Sequence, residues 1–212
     1  MPATWPFVLD IVLLIGELAM RRKSIDNCLR QRVIPVVWDP GSHRDLIARA
    51  SAVFLQGGAL ADLGQALDRF RDPHLENLPL FVHVDLVSGL ENNEAGIEFL
   101  AQFENITGVV TVHHHLAVAA RRLGLLSVVR LFLSDSRAVD RGLSVVKKSR
   151  PDAVEILPAV VAAKVAGDFA DCHIPRIAGG LCRTEADVND VLASGCRAVT
   201  STSPALWKLN PV

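Results

Sequence analysis

Two adjacent glycines, Gly179 and Gly180, stand in the stretch RIAGGLCRTEADV, where a short apolar run ends and a helical pattern begins. Glycine lets backbone N–H groups at such a junction approach phosphate oxygens closely, and the following helix directs its positive end at the same anion. Thr184 is predicted to N-cap that helix, with Asp187 at the third position as in a capping box. The stretch therefore predicts a phosphate site, with Arg183 as a further ligand, whereas a tight turn alone is the structural alternative.

A second stretch rich in hydrogen-bond donors, VTSTS, ends the last apolar run of the chain. Its residues Ser201, Thr202 and Ser203 can donate hydroxyl and backbone hydrogen bonds to an anion. In barrels of alternating strands and helices, the loops after the seventh and eighth strands commonly bind phosphate together. Two neighbouring loops that both offer donors make the anion site a more specific prediction than either loop alone.

Polar side chains also end three other apolar runs. His83 and Asp85 share one face at i and i+2 in HVDLVSGL, Arg130 lies in VVRLFLSDS, and Glu155 lies in VEILPA. At the mouth of a barrel these four side chains are predicted to surround the ligand. An Arg–Glu pair inside the barrel that serves only stability is the alternative for Arg130 and Glu155.

The elements that must position these side chains are short β-branched runs alternating with segments of helical spacing from Arg32 onward. About eight such units predict an α/β fold, a closed parallel (β/α) barrel of the TIM-barrel type in one domain, because parallel strands joined by helices are covered on both faces. An open doubly wound sheet is the alternative, but the first strand lacks a G-x-G-x-x-G turn. The strands are predicted to begin at Val33, Ala52, Leu80, Gly108, Ser127, Ala153, Arg176 and Ala198, and the clearest helices to span residues 93–103, 116–123, 136–147 and 184–193.

Residues 1–30 stand apart from this alternation. The segment WPFVLDIVLLIGELAM is largely apolar, but Asp10 and Glu17 interrupt it and a basic cluster follows it, which is the reverse of a secretory signal. It is also shorter than the roughly 20 apolar residues of a membrane span. We therefore predict a helical extension that packs on the barrel of residues 31–212 or on a partner chain, without stable membrane insertion, in a cytoplasmic protein. A membrane-surface anchor and a natural start at Met20 are the alternatives.

Composition narrows the remaining function classes. The chain has 212 residues, half of them hydrophobic, and a formal net charge of -1, so it exerts no global attraction on nucleic acid. The four cysteines are far apart and are predicted to be reduced thiols. The run His113 to His115 is interpreted as polar residues at a strand end, because neighbours in a strand alternate between faces and cannot share one metal. No metal or cofactor is predicted.

Five motifs in a fixed order carry a resemblance to a known family: LFVHVDLVSGLENNEAGIEFL, VRLFLSDS, RPDAVEILP, IAGGLCRTEADV and VTSTSPALW. From about Val33 to Trp207 the chain resembles the glycerol-3-phosphate-responsive antiterminators, also called glycerol uptake operon antiterminator regulatory proteins. The resemblance implies a barrel-shaped regulator without turnover. It also implies glycerol 3-phosphate, or another phosphate, as the ligand, and association with the leader of messenger RNA from glycerol genes, which prevents early termination.

The chain departs from the family pattern at several places. Thr111, Val112 and His113 stand where a Thr-Lys/Arg-Ser turn is usual, so a basic group is missing. The other departures are Val129 for a glutamine, Ala159 for a glycine and Ser203 for a common asparagine. The phosphate loops keep the family pattern, so an anion site is expected even where the rest of the pocket has changed.

RNA contact requires local basic clusters, because the net charge is close to zero. Phosphate contacts from a homodimer are expected to dominate, since the chain has no tyrosine and few aromatic residues for base stacking. A solvated helix face is the structural alternative for each cluster. The candidate clusters are Arg21, Arg22 and Lys23; Arg121 and Arg122; and Lys147, Lys148 and Arg150.

Two other classes of function stay open. A phosphate-binding barrel with Asp85 and Glu155 at its mouth could hold Mg²⁺ and act as an enzyme on a small sugar or glycerol phosphate. No poised acid and base with a metal cluster stands out in the sequence. The second class is a scaffold that has lost ligand sensing, for which Val112 and Ala159 are the indications.

Overall fold

The computed structural model describes residues 24–211, which form a closed barrel of eight parallel strands in chain order. Each strand pairs with its neighbours in sequence, and the first closes the sheet on the last with Val33 opposite Val199. The prediction of a single-domain (β/α) barrel is therefore confirmed. The strands are β1 (Val33–Val37), β2 (Val53–Leu55), β3 (Leu80–His83), β4 (Ile106–Thr111), β5 (Leu126–Phe132), β6 (Ala153–Leu157), β7 (Arg176–Gly179) and β8 (Ala198–Ser201).

Helices run along the outside of the barrel, and the four clearest predicted helices are all present with shifted ends. Between β6 and β7 the helical structure is limited to a 3-10 turn at Ala159–Val161. The run His113 to His115 follows the end of β4 at Thr111, and His114 and His115 begin the next helix instead of alternating along a strand. The α-helices are α1 (Ile25–Cys28), α2 (Arg44–Ile47), α3 (Leu63–Asp68), α4 (Glu94–Leu100), α5 (His114–Arg122), α6 (Ser136–Ser149), α7 (Glu185–Ala193) and α8 (Pro204–Trp207).

Side-chain caps fix where three of the longer helices begin. The Asn93 side chain accepts a hydrogen bond from Gly96 N, and Asp135 accepts one from Ala138 N. Thr184 and Asp187 form the predicted capping box at the start of α7. Because each cap satisfies backbone N–H groups that lack helical partners, it also sets the length of the loop before the helix.

Alternate residues of each strand face opposite sides of the barrel wall. In β5, Leu126 and Val128 pack in the cluster that fills the barrel, whereas Val129 and Leu131 belong to the larger cluster between the strands and the helices. This alternation follows from the two-residue period of a strand. It places polar residues of β3, β5, β6 and β8 inside the barrel near the carboxyl ends of the strands.

The amino ends of the strands are closed by the segment that precedes β1. Cys28 and Leu29 are buried and pack with the side chains that fill the barrel. Asn210 holds the other end of the chain here, because its side chain bonds both Val33 N at 2.9 Å and Val33 O at 2.8 Å. Most of the predicted amino-terminal extension lies outside the described residues. Within residues 24–211, no helix is long and apolar enough to cross a membrane.

Candidate functional site

The carboxyl ends of the strands surround a cavity of about 220 Å³. Predicted ligand residues supply much of its wall, together with side chains that the sequence did not single out. The predicted residues that line it are His83, Arg130, Glu155, Gly180, Ser201 and Thr202, and the others are Val36, Phe54, Gln56, Leu157, Leu181, Cys182 and Thr200. Asp85, Gly179, Arg183 and Ser203 lie outside the wall, so each of them acts on the site indirectly or not at all.

A buried polar network forms the floor of this cavity. Arg130 Nη1 lies 2.6 Å from His83 Nε2, and Arg130 Nε lies 2.7 Å from Glu155 Oε2. The other carboxylate oxygen of Glu155 accepts a 2.5 Å hydrogen bond from the hydroxyl of Thr200. Four strands therefore contribute one polar side chain each to a single chain of contacts, and Arg130 and Glu155 form the ion pair that their strand positions allowed.

His83 is uncharged in this network at neutral pH. Burial, reinforced by the Arg130 charge, lowers the pKa of His83 from 6.5 to about 4. Because a guanidinium group only donates, His83 Nε2 must accept from Arg130, and the ring proton lies on Nδ1. Nδ1 is buried without a hydrogen-bond partner among the described residues, and Asp85 Oδ2 lies 3.8 Å from it.

Glu155 and Arg130 are close but imperfectly aligned. Arg130 Nε and Glu155 Oε2 are both buried, and despite their 2.7 Å separation the N–H bond does not point at the oxygen. Burial raises the pKa of Glu155, and the Arg130 charge and the Thr200 hydroxyl oppose that rise. An ionised Glu155 balances the charge of the Arg130 guanidinium at the floor.

Gly179 is required by the packing of this floor. A Cβ at Gly179 would overlap the Thr200 hydroxyl and lie 2.8 Å from Glu155 Oε1. The missing side chain therefore leaves room for the hydrogen bond between Thr200 and Glu155. The interpretation that both glycines bring backbone amides to a phosphate stays a prediction, and the packing against Thr200 and Glu155 gives Gly179 a second reason to lack a side chain.

Gly180 and Leu181 shape the loop after β7. Both have left-handed backbone conformations, with φ of 72° and 61°. Glycine adopts this conformation freely, whereas a leucine there is strained, and such strain concentrates at functional sites. The amides of Leu181, Cys182 and Thr202 donate to no acceptor among the described residues. These donors of the two adjacent loops are therefore available to an anion.

Backbone N–H groups at the start of α7 already donate to Asp187, a residue of the same helix. Asp187 Oδ2 accepts hydrogen bonds from Arg183 N at 2.9 Å and from Thr184 N at 2.8 Å. These bonds hold the pKa of Asp187 below its ordinary value. Asp187 therefore occupies these two amides, and the interaction of the helix start with an anion stays a prediction. Arg183 itself is exposed and does not line the cavity.

The loop after β8 is held by its own hydrogen bonds. Ser201 Oγ accepts from Ser203 N at 3.1 Å, and Ser201 O accepts from Trp207 Nε1 at 2.8 Å. Ser203 thus stands at the start of α8 and outside the cavity wall. Thr202 is exposed at the rim of the cavity, which is formed by the loops that follow the strands. Of the three predicted donors, Ser201 and Thr202 reach the cavity and Ser203 supports them.

Asp85 organises the rim and does not line the cavity. Its carboxylate accepts hydrogen bonds from Thr111 Oγ1 and Val112 N, both at 2.8 Å. His113 Nε2 lies 3.8 Å from the same carboxylate. Asp85 therefore ties the loop after β3 to the loop after β4, and its negative charge stands behind His83. Among residues 24–211 there is no group of three or more His, Cys, Asp or Glu side chains that could hold a metal.

The predicted RNA contacts lie at the opposite end of the barrel. Arg121 and Arg122 end α5, and Lys147 and Lys148 lie in the last turn of α6. Helices that follow parallel strands end beside the amino ends of those strands, away from the cavity. Arg121 donates to the carbonyls of Ser149 and Arg150, and Arg122 pairs with Glu94. Lys147 and Lys148 are exposed. The cluster of residues 21–23 lies outside the described residues.

Of three further cavity residues, two carried weak signals in the sequence and one carried none. Gln56 is a polar residue directly after β2, which is the signal that identified His83 and Arg130. Thr200 is recognisable only from its alternation with Ala198, because both side chains point into the barrel. Leu181 carried no signal, since a left-handed leucine cannot be anticipated from composition or spacing.

Known proteins of this shape provide the remaining observations. The family model described as glycerol-3-phosphate responsive antiterminator matches residues 33–207. The chain is similar to the crystal structure of the glycerol uptake operon antiterminator regulatory protein from Listeria monocytogenes, with a TM-score of 0.75 and 29% identity over 84% of this chain and 95% of that chain. A glycerol uptake operon antiterminator-related protein from Thermotoga maritima gives a TM-score of 0.73 and 30% identity over 84% and 98%. The uncharacterized protein YgcP of Escherichia coli is 33% identical over 129 residues, which cover 61% of this chain and 68% of that protein.

Proposed function

This chain belongs to the glycerol-3-phosphate responsive antiterminator family, and on that premise we propose that it is a cytoplasmic regulator that binds glycerol 3-phosphate at the barrel mouth. In its bound form it associates, as a homodimer, with the leader of messenger RNA from glycerol genes. The observation that carries the proposal is one cavity with unpaired backbone amides at its rim and a buried polar network at its floor.

The rim suits the phosphate group of such a ligand. The amides of Leu181, Cys182 and Thr202 have no acceptor among the described residues, and the Thr202 hydroxyl stands at the same rim. Several N–H and O–H donors that converge on one spot bind an anion without a formal positive charge. The phosphate group is therefore assigned to the loops after β7 and β8.

The floor suits the hydroxyl groups at the other end. Arg130 presents N–H donors, and Ser201 and Gln56 add neutral polar groups to the wall. The cavity volume of about 220 Å³ lies below the roughly 300–1,000 Å³ of pockets for drug-sized ligands. A three-carbon phosphate ester matches this volume better than a nucleotide does.

A matched pair of glycine variants tests ligand binding. Gly180→Asp adds a side chain and a negative charge among the rim donors, so we expect it to abolish binding of glycerol 3-phosphate in isothermal titration calorimetry. Gly124→Asp is the control, because Gly124 also has a positive φ and its Cβ position is open, but it follows α5 at the opposite end of the barrel. Equal affinities of Gly180→Asp and the unsubstituted protein would refute the assignment of the phosphate.

RNA binding is tested separately, by fluorescence anisotropy with a leader RNA at two salt concentrations, with and without glycerol 3-phosphate. Because each phosphate contact releases a counterion, we expect a double-logarithmic salt slope of about 0.7 per contacted phosphate of single-stranded RNA. Lys147→Glu with Lys148→Glu should lower both affinity and slope. Lys164→Glu with Lys208→Glu, the same charge change at two other positions, should have a smaller effect. Ligand strengthens RNA binding only if it favours the RNA-competent state.

A catalytic role is the second candidate, and the buried charged pair beside a histidine of perturbed pKa favours it, since such groups concentrate in active sites. Prolonged incubation with glycerol 3-phosphate, followed by phosphorus NMR, separates the two functions. A regulator leaves the phosphate ester unchanged, whereas conversion of the ester by the unsubstituted protein, but not by Glu155→Ala, would establish an enzyme.

A further inference from the structure

Few charged side chains line the cavity, although it is proposed to bind an anion. Arg130 and Glu155 are its charged side chains, and the remaining lining residues are apolar or neutral. His83 is neutral at physiological pH because burial and the Arg130 charge lower its pKa to about 4. Arg183, the basic residue of the loop after β7, does not line the cavity.

Arg130 and Glu155 cancel each other at the floor. Their charged atoms lie 2.7 Å apart, and the side chains are 15% and 3% exposed. A ligand that reaches the floor therefore meets a guanidinium whose charge is already compensated by a buried carboxylate. Asp85 adds a second negative charge behind the floor, with Oδ2 3.8 Å from His83 Nδ1.

A ligand with one anionic group fits this distribution, and a ligand with two does not. The phosphate is met by neutral donors at the rim, which need no countercharge. A second anionic group at the floor would be desolvated beside Glu155 without an unpaired cation to receive it, and like charges placed together in this way are strongly unfavourable. A hydroxyl group at the same place accepts from Arg130 at no such cost.

We propose that Glu155 makes the site selective for phosphate esters whose non-phosphate end is uncharged, and that it excludes analogues in which this end is a carboxylate. Glu155 is then a specificity-determining residue, which acts by neutralising Arg130. This inference rests on the proposed binding of a phosphate ester at the mouth. It separates a polyol phosphate from the corresponding phosphorylated acid, two ligands of nearly equal size.

Two probes that differ at one end test the inference by calorimetry on the full chain. Glycerol 3-phosphate has a terminal CH₂OH group where 3-phosphoglycerate has a carboxylate. We expect 3-phosphoglycerate to bind at least about tenfold more weakly, because its carboxylate is desolvated at a floor whose guanidinium is already paired with Glu155. Inorganic phosphate is the third probe and reports on the rim alone.

The variant Glu155→Gln tests whether Glu155 is the cause of the selectivity. The amide keeps an acceptor for the Thr200 hydroxyl but leaves the Arg130 charge unpaired, so the affinity ratio between the two esters should fall at least tenfold, through stronger binding of 3-phosphoglycerate. Glu98→Gln removes one carboxylate from the exposed face of α4 and should keep the ratio of the unsubstituted protein.

The outcomes distinguish this inference from the proposed function. Binding of both esters with equal affinity overturns the selectivity and leaves the phosphate site intact. A ratio that Glu155→Gln does not change overturns the assignment to Glu155. If none of the three probes binds, the proposed function fails and the inference fails with it. Should Glu155→Gln not fold, the ratio measured on the unsubstituted protein still decides whether the selectivity exists.

Discussion

Replacement of Gly179 by alanine should destabilise this protein far more than the same replacement at Gly180. The new Cβ would overlap Thr200 Oγ1 and lie 2.8 Å from Glu155 Oε1, so the buried hydrogen bond between these side chains must break or shift. Loss of a hydrogen bond to a charged group costs about 1.5–3 kcal/mol. Overpacking of an interior position adds about 1–3 kcal/mol. We therefore expect Gly179→Ala to lower the free energy of unfolding by about 3–5 kcal/mol.

Gly180→Ala is the matched control, because its neighbourhood has room for a methyl group. The nearest atom to the added Cβ would be Leu157 Cδ2 at 3.5 Å, an ordinary contact. The cost is then the left-handed backbone conformation alone, about 1–2 kcal/mol. Urea unfolding followed by circular dichroism gives both values from the shift of the midpoint at constant slope.

A double variant shows whether the Thr200 hydroxyl is the cause. Thr200→Ala removes the atom that the new Cβ overlaps, so addition of Gly179→Ala to this background should cost about 1 kcal/mol or less, and the two substitutions should be strongly non-additive. If Gly179→Ala and Gly180→Ala proved equally destabilising, or if the two substitutions were additive, the role assigned to Gly179 in the floor would be wrong.

The remaining predictions concern pH, a helix end and the roles of the floor residues. The pKa of His83 is lowered to about 4 in the folded state, so the unfolded chain binds a proton first as the pH falls. The free energy of unfolding should therefore decrease by up to about 3 kcal/mol as the pH drops from about 6.5 to about 4. Unfolding curves across this range should be less pH-dependent in His83→Gln, and an equal dependence in both proteins would contradict the assignment. Arg121→Ala should lower the free energy of unfolding by about 1–2 kcal/mol, because Arg121 donates to the carbonyls that end α6. Arg122→Ala should lower it by less than about 1 kcal/mol, because the pair of Arg122 with Glu94 is exposed. Thermal melts compare the two variants, and a reversed order would show that Arg121 does not cap the helix. Glu155→Ala should weaken binding of glycerol 3-phosphate more than it lowers Tm, and the opposite ranking in calorimetry and melting experiments would favour a purely structural Arg130–Glu155 pair.

The barrel and the identity of its mouth were readable from the sequence. Eight β-branched runs separated by segments of helical spacing predict a closed parallel barrel, because parallel strands joined by helices are covered on both faces. The carboxyl ends of parallel strands meet at one edge, so His83, Arg130 and Glu155 were predicted to lie together without knowledge of any distance. The capping box of Thr184 and Asp187 was equally accessible, since it depends only on local spacing.

The tertiary structure decided which contacts each residue at the barrel mouth makes. Gly179 and Gly180 are adjacent and chemically identical, but in the closed barrel a Cβ at Gly179 would meet Thr200 and Glu155, whereas a Cβ at Gly180 would meet Leu157 and Pro158. Whether Asp187 leaves the helix amides free, and whether Arg130 faces a carboxylate or a ligand, depends on side-chain directions across strands. Sequence spacing sets which edge of the barrel a residue reaches. Register and barrel closure set which atoms it touches there, because contacts between residues far apart in the chain are fixed only when the sheet closes.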